Sequence, residues 1–365
     1  MYIETVSVKN FRNLDTMSIE LNKSVNIFYG KNAQGKTNII EAVYMCATGR
    51  SHRTHSDKDM IMFGMDSAMV QTFINKDNYK DRVNIHLKKN AKKGIAVNNL
   101  PIKSLSELFG ILHIVIFSPE DLELVKKGPS ERRRFIDMEL CQLSKIYCYN
   151  LQQYWKILKQ RNNLLKQVQK NSSLRDTIFV WDSQLVDFGR KLIKEREKFT
   201  VRIDELTKDI HLKLTGGMEK MKIEYKPSVS ADEFEEKLNK NIEKDIYFGS
   251  TSYGPHKDDL SFFINDTNVR EFGSQGQQRC TAVSLKLAEI KLIEDEKGSE
   301  PVLLLDDVFS ELDKNRQKYL IECISDIQTI ITCTGIEDSL RELSEKAAIY
   351  MVENGKVYSN RDTNA

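Results

Sequence analysis

Hydrophobic and polar positions alternate with a period of two at the start of the chain and switch to a helical period in its middle. Ile3, Val6 and Val8, then Met17 to Leu21, then Val25-Asn26-Ile27-Phe28 read as short strands. Val83, Ile85, Leu87, Ile95 and Val97 mark a second strand-rich stretch, with a turn at Asn98-Asn99. Ile111 to Phe117 is a continuous apolar run, which predicts a strand buried on both faces. From Leu140 the rhythm changes. Apolar or aromatic residues recur at 140, 143, 147, 151, 154, 158, 165 and 168, and Arg161 stands where one more is due. After the polar turn Asn171-Ser172-Ser173 the same spacing runs through Ile178, Trp181, Leu185, Phe188, Leu192, Phe199, Ile203, Leu206, Ile210 and Leu214. Two such seams predict an antiparallel helical hairpin with helices of roughly 40–55 Å. Gly216-Gly217 closes it. Strands near 260–264, 302–305 and 329–333, a helix from about 275 to 295 and a last hairpin turning at Asn354-Gly355 complete the pattern. The organisation predicted is an α/β head split in sequence, 1–138 and 218–365, with a helical arm, 139–217, inserted into it.

Composition narrows the class. A chain of 365 residues can bury a substantial core and hold two or three modules. Its 55 Lys and Arg against 53 Asp and Glu give a net charge of +2, which excludes nucleic-acid binding by bulk charge. DNA affinity has to come from local clusters. No stretch approaches the ~20 apolar residues of a membrane helix, and the strand-like start has no basic and apolar leader. The expectation is a cytoplasmic protein without a membrane partner. Cys46, Cys141, Cys148, Cys280, Cys323 and Cys333 form no C-x-x-C pair and read as free thiols.

The chemistry begins at Gly30-Lys31-Asn32-Ala33-Gln34-Gly35-Lys36-Thr37, a full match to G-x-x-x-x-G-K-[ST]. A strand precedes it. A helix presenting Ile39, Ile40, Val43 and Cys46 follows, with Gly49 as its stop. Glycines let backbone N–H groups curl round phosphates at a helix N-terminus. Lys36 would hold the β- and γ-phosphates and Thr37 would ligate Mg²⁺. ATP with Mg²⁺ is the implied cofactor. Far downstream, Pro301-Val302-Leu303-Leu304-Leu305 would deliver Asp306 toward the metal and Asp307 toward the attacking water, as general base or water-orienter.

Phe272-Gly273-Ser274-Gln275-Gly276-Gln277 opens a strongly apolar helix, so a plain N-cap would explain it. Its place some thirty residues before Asp306-Asp307, with Ser310-Glu311-Leu312-Asp313 behind, resembles the ABC-type ATPases. In those proteins the S-G-G-Q signature of one subunit caps the γ-phosphate held by another. The resemblance makes Ser274, Gln275, Gly276 and Gln277 a signature acting in trans, and Asp313 a dimer contact. Two departures matter. Asp307 stands where Glu is usual, which implies slow hydrolysis. The strand at 329–333 lacks the switch histidine, leaving Thr332 or Thr334 to meet the γ-phosphate. Arg12 follows the first strand, as a nucleotide contact or a surface salt bridge.

A closer resemblance covers residues 1 to about 340. Pro119-Glu120-Asp121, Leu124-Val125, Gly128-Pro129 and Arg132-Arg133-Arg134-Phe135-Ile136-Asp137 are similar to one signature of the RecF family, and Leu304 to Asp313 with Lys314 and Arg316 to a second. Asn10-Phe11-Arg12-Asn13, Ser51-His52-Arg53 and Gly254-Pro255-His256-Lys257-Asp258-Asp259-Leu260 also fit. The resemblance implies an SMC-like ABC-type ATPase head, a mixed sheet plus N-terminal antiparallel strands, with a short arm. It further implies an ATP-dependent homodimer on DNA that hydrolyses ATP slowly. Its partners would be gapped DNA, single- and double-stranded, and RecR and, through it, RecO and RecA, at single-strand gaps or junctions. The alternatives are a transporter-type nucleotide-binding subunit and an ATP-binding scaffold that does not hydrolyse.

The arm adds an argument of its own. Between Leu140 and Arg175 stand Lys145, Lys156, Lys159, Arg161, Lys166, Lys170 and Arg175, and no acid. The first six are the DNA-binding candidates, a local footprint for a phosphate backbone.

Overall fold

The computed structural model describes residues 1–76, 79–324, 326–335 and 347–359. They form two compact units, Met1–Asp121 with Glu289–Ala365, and Leu122–Ala288. The arm is not a unit by itself: the flanking segments 122–138 and 218–288 fall in the same unit.

The first unit holds two six-stranded sheets. One is antiparallel, in the order β2-β1-β4-β5-β6-β7. Its strands are β1 (Tyr2–Phe11), β2 (Leu14–Glu20), β4 (Ser67–Lys76), β5 (Tyr79–Lys88), β6 (Gly94–Val97) and β7 (Leu100–Pro101). The alternation read from the sequence is the pleat: Ile3, Val6, Val8, Val70, Ile74, Val83, Ile85 and Leu87 all face one core. Ile39, Ile40 and Val43 of helix α1 (Lys36–Thr48) belong to the same core. The other sheet runs β15-β14-β3-β13-β12-β8. It comprises β3 (Val25–Tyr29), β8 (Ile114–Phe117), β12 (Val302–Asp306), β13 (Thr329–Cys333), β14 (Ala348–Glu353) and β15 (Lys356–Ser359). All its pairs are parallel except β14 with β15, whose turn places Asn354 at φ 49° and Gly355 at φ 74°. The apolar run at 111–117 yields a strand only from Ile114, although all of 111–117 is buried. Buried Gln328 ties the two sheets, its amide bonding both the N–H and the carbonyl of Ile3, at 2.6 and 2.8 Å. Helix α6 (Lys314–Ile324) also lies in this unit.

The second unit is built on the helical hairpin. Helices α3 (Lys145–Val168) and α4 (Ile178–Leu214) are its two legs. The seam from Leu140 is not one helix. Ser144 has extended backbone and its hydroxyl accepts from Tyr147 N–H at 3.1 Å, so α2 (Pro129–Leu143) ends there and α3 starts under a new cap. A three-stranded sheet of order β11-β10-β9 comprises β9 (Met221–Lys226), β10 (Asp259–Ile264) and β11 (Thr267–Asn268). Helix α5 (Gln275–Lys297) begins in this unit.

The gaps in the two apolar seams are filled by buried arginines. Arg161 of α3 is 0% exposed and donates to Asp182, to Asp245 at 2.7 Å and to Thr251 Oγ1 at 2.8 Å. It cannot meet a DNA phosphate, which corrects its assignment to the DNA-binding set. The position is a seam position, and a cation survives there only because two carboxylates meet it. Arg196 fills the step of seven from Leu192 to Phe199 in α4 in the same way. It donates to Asp258 at 2.8 Å, Asp137 at 2.7 Å, Pro255 O at 2.6 Å and Tyr147 Oη at 3.0 Å. Arg132 of α2 grips Asp259 with Nε and Nη2 at 2.6 and 3.0 Å, and Arg133 donates to Asp258 O at 2.7 Å.

All six cysteines are free, and among the described residues no helix is long and apolar enough to cross a membrane. Arg161→Met would strand the fully buried Asp245 and lose about 3–5 kcal/mol, read as a lower urea midpoint. An unchanged midpoint would contradict the structural role.

Candidate nucleotide site

The carboxyl ends of β3, β13 and β12 lie side by side, with Thr332 registered against Phe28 on one side and Asp306 on the other. Ligands of parallel α/β sheets bind at such ends. The loop after β3 turns into α1 through Gly35, whose φ of +114° favours glycine. A Cβ there would stand 2.7 Å from Asn13 Oδ1, and one at Gly30 would stand 2.3 Å from Val352 O. The cradle therefore admits backbone only, as a phosphate loop must. Lys36 is buried, and its ammonium donates to Gly30 O at 2.7 Å and Lys31 O at 2.9 Å. Lys31, Asn32 and Ala33 are exposed at the loop's crest and Gln34 is half-buried.

Thr37 Oγ1 donates to Asp306 Oδ1 at 2.9 Å, and Thr332 Oγ1 donates to the same oxygen at 2.6 Å. Burial raises the Asp306 pKa, the two hydroxyls oppose that, and the charge of Glu120 adds to it. The donor set, a threonine hydroxyl and an acidic oxygen beside a buried ammonium, fits Mg²⁺ with a triphosphate. Asp307 follows with φ 55° and gives its N–H to Thr332 at both O (3.2 Å) and Oγ1 (3.1 Å). The Thr332 hydroxyl is thus engaged between the two aspartates, whereas Thr334, just past the end of β13, is exposed. Ala33 at φ 64° and Arg12 at φ 57° share the left-handed backbone of Asp307. Non-glycine residues held there cluster at functional sites.

These features describe a P-loop ATPase core, and the comparisons agree. The model of the RecF/RecN/SMC N terminal domain matches residues 2–358. A "DNA replication and repair protein RecF" from Lachnoclostridium phytofermentans is 53% identical over 98% of this chain and 99% of its own. One from Clostridium tetani is 46% identical over 99% and 100%. The chain belongs to the RecF family. Among solved structures, the recombination mediator RecF-ATP of the RecFOR pathway matches with a TM-score of 0.91 at 34% identity, over 98% of this chain and 97% of that one. An Smc head from Pyrococcus furiosus, at 18% identity and a TM-score of 0.58, shares the fold.

Other expected residues of this RecF-family chain fall in varied settings. Arg12 forks onto Glu41 with Nε and Nη2 at 2.8 and 2.7 Å and gives Nη1 to Asp59 O at 2.6 Å, so the salt bridge is the arrangement present. Glu41, fully buried on α1, was missed by the sequence reading. The signal was there, a lone acid amid Ile39, Ile40, Ala42 and Val43. Also unforeseen is the tie between the predicted Asn354-Gly355 turn and the phosphate loop: the two N–H groups of the turn donate to Gln34 Oε1 and Gln34 O at 2.5 and 3.0 Å.

In the second unit Ser274, Gln275 and Gly276 are exposed and Gln277 is half-buried. Ser274 Oγ accepts from Gln277 N–H at 3.2 Å and Gln277 Oε1 accepts from Ser274 N–H at 3.0 Å, a capping box. Asp313 is exposed and caps α6 by accepting from Asn315 N–H and Arg316 N–H. Lys145, Lys156, Lys159 and Lys166 are exposed on α3, and Lys170 is exposed just past its end. At 100° per residue the four on the helix fall within a stripe about 80° wide and roughly 32 Å long.

Burial alone would raise the Glu41 pKa, but hydrogen bonds from Arg12 and Ser51 and the charges of Arg12 and Arg53 bring it below its ordinary 4.5. Its stabilisation is therefore complete above 4.5, the unfolded value, and is lost as pH falls through the lower folded value. Arg12→Met should lower the melting temperature at pH 7, and the gap to the parent protein should narrow as pH drops well below 4.5. A gap that is constant with pH would sink this account.

Proposed function

We propose that this chain is an ATP-gated DNA-binding protein of recombinational repair and replication. Each copy binds ATP through residues 30–37, with Lys36 on the β- and γ-phosphates. Thr37 and Asp306 would hold Mg²⁺, which neutralises charge on the phosphates. Ser274, Gln275, Gly276 and Gln277 of a second copy close over the γ-phosphate, with Asp313 in the same dimer interface. The interface depends on ATP because these donors have nothing else to bind across it. Asp307 orients the attacking water as general base, its short side chain keeping hydrolysis slow and DNA-stimulated. Thr334, exposed where the switch residue belongs, meets the γ-phosphate, and Thr332 holds both aspartates. Arg12, in its salt bridge with Glu41, braces α1 behind the phosphate loop.

The lysine stripe of α3 takes the DNA backbone at single-strand gaps and their duplex borders. The cycle serves the loading of RecA, through RecR and RecO, in the cytoplasm. That partner biology is carried from relatives described as mediators of the RecFOR pathway.

The observation that carries this reading is the exposed signature turn together with the joined Thr37, Asp306 and Thr332. A scaffold needs neither an exposed signature nor a second aspartate. The family match over residues 2–358 leaves the transporter alternative without support.

Asp307→Asn should cut turnover roughly 100-fold or more and accumulate an ATP-dependent dimer in sedimentation, with none in ADP. A monomer under ATP·Mg²⁺, with and without gapped DNA, would refute the dimer gate. Replacing Lys156, Lys159 and Lys166 together by Glu should weaken binding to every DNA sequence alike and flatten its salt dependence by about one unit per lost contact. Unaltered affinity would move the DNA site elsewhere.

A further inference from the structure

The buried positions at the C-terminal end of the long helix α4 are all polar. Thr207 and His211 hold them in its last two turns and Thr215 at its C-cap. The two threonines turn their hydroxyls back to the carbonyls of Ile203 and His211, at 2.5 and 2.8 Å. His211 is 0% exposed, with Nδ1 2.9 Å from Ser284 Oγ and Nε2 3.2 Å from Glu219 Oε2. A carboxylate only accepts, so Nε2 carries the hydrogen given to Glu219, and in the neutral ring Ser284 donates to Nδ1. The other carboxylate oxygen, Glu219 Oε1, accepts from Gln277 Nε2 at 3.0 Å. A line of bonds therefore runs from Ser284 inside α5, through His211 and Glu219, back to the first turn of α5.

Gln277 sits at the junction of this line and the capping box. Its carbonyl oxygen serves Ser274 N–H and its amide nitrogen serves Glu219, so only one orientation of the amide satisfies both. A capping box accepts Glu as readily as Gln at this position. A carboxylate here would face that of Glu219. The acid, and not the cap, therefore demands glutamine. With Gln277 fixed, the Ser274 oxygen is held on Gln277 N–H, and its own hydrogen is left for a ligand.

We propose that Glu219, oriented by His211, is a positioning residue for the signature turn, setting Gln277 and through it the Ser274 hydroxyl. This rests on the reading that the signature of one copy acts on the nucleotide of another. A second copy's γ-phosphate then meets a donor whose direction was set before the copies joined. Misplacing such a group costs rate and leaves binding of ATP to the phosphate loop untouched.

The test uses the full chain in four variants, Glu219→Ala, Glu219→Gln, Ser274→Arg and Lys36→Ala. Glu219→Ala should lower turnover at saturating ATP by about 10- to 100-fold, with the monomer's ATP Kd held within about twofold. Glu219→Gln should restore most of the rate, since its amide oxygen still accepts from Gln277 and its amide nitrogen can donate to the other tautomer of His211. Mixing Glu219→Ala with Lys36→Ala should revive turnover, because one composite site then pairs an intact phosphate loop with an intact signature. Ser274→Arg mixed with Lys36→Ala is the control for the trans reading. If that control stays inactive, the trans reading fails and the proposal with it. If the control revives while Glu219→Ala alone turns over normally, or fails to revive in its own mixture, the trans reading stands and the positioning role of Glu219 is overturned.

Discussion

The second unit depends on guanidinium groups kept away from water. Arg132, Arg161 and Arg196 are among its largest fully buried side chains. Burying such an ion costs several kcal/mol, and the cost is offset only when carboxylates and further acceptors surround it. Each of the three has that company. Asp258 gathers Arg196, the Tyr225 hydroxyl and Ser228 N–H, while the neighbouring Asp259 takes Arg132. The stretches Arg132 to Asp137 and Gly254 to Leu260, two of the family's marks, are thus the two halves of one lock. In this chain both stretches serve packing.

The first unit solves a different problem, that of keeping an anion site ready. Its lysine rests on carbonyls of its own loop, and Thr37 and Asp306, the pair proposed to hold Mg²⁺, are already hydrogen-bonded to each other. An incoming triphosphate exchanges these contacts and does not have to create the order itself. Positive φ at Arg12, Ala33 and Asp307 places backbone strain around that site.

Much of this was legible beforehand because it is local. The phosphate loop, its strand and helix, the Gly49 stop, the hairpin turn at Asn354-Gly355 and the helical hairpin are each written within a few dozen residues. What escaped is written across long separations. Arg161 has the same charge in a seam as on a surface, and its partner Asp245 lies 84 residues away. The broken seam register at 161 was the one hint of its burial. The tie from Gln34 to Asn354 spans 320 residues and has no pattern to announce it. Ser144 was readable as a cap, but uninterrupted apolar spacing on either side hid it.

Strand order carries a consequence for how the protein is made. β3, which launches the phosphate loop, is flanked by β13 and β14, both from the far end of the chain. The loop is further held by the turn that follows β14. A nascent chain has neither neighbour when β3 emerges. At about 5–20 residues per second, the wait for β13 is on the order of 15–60 s. The contiguous stretch Leu122–Ala288 is complete before β13 is made. The frame of the nucleotide site, β3 between β13 and β14 with the 354–355 turn against the loop, therefore comes together only after synthesis has passed residue 355.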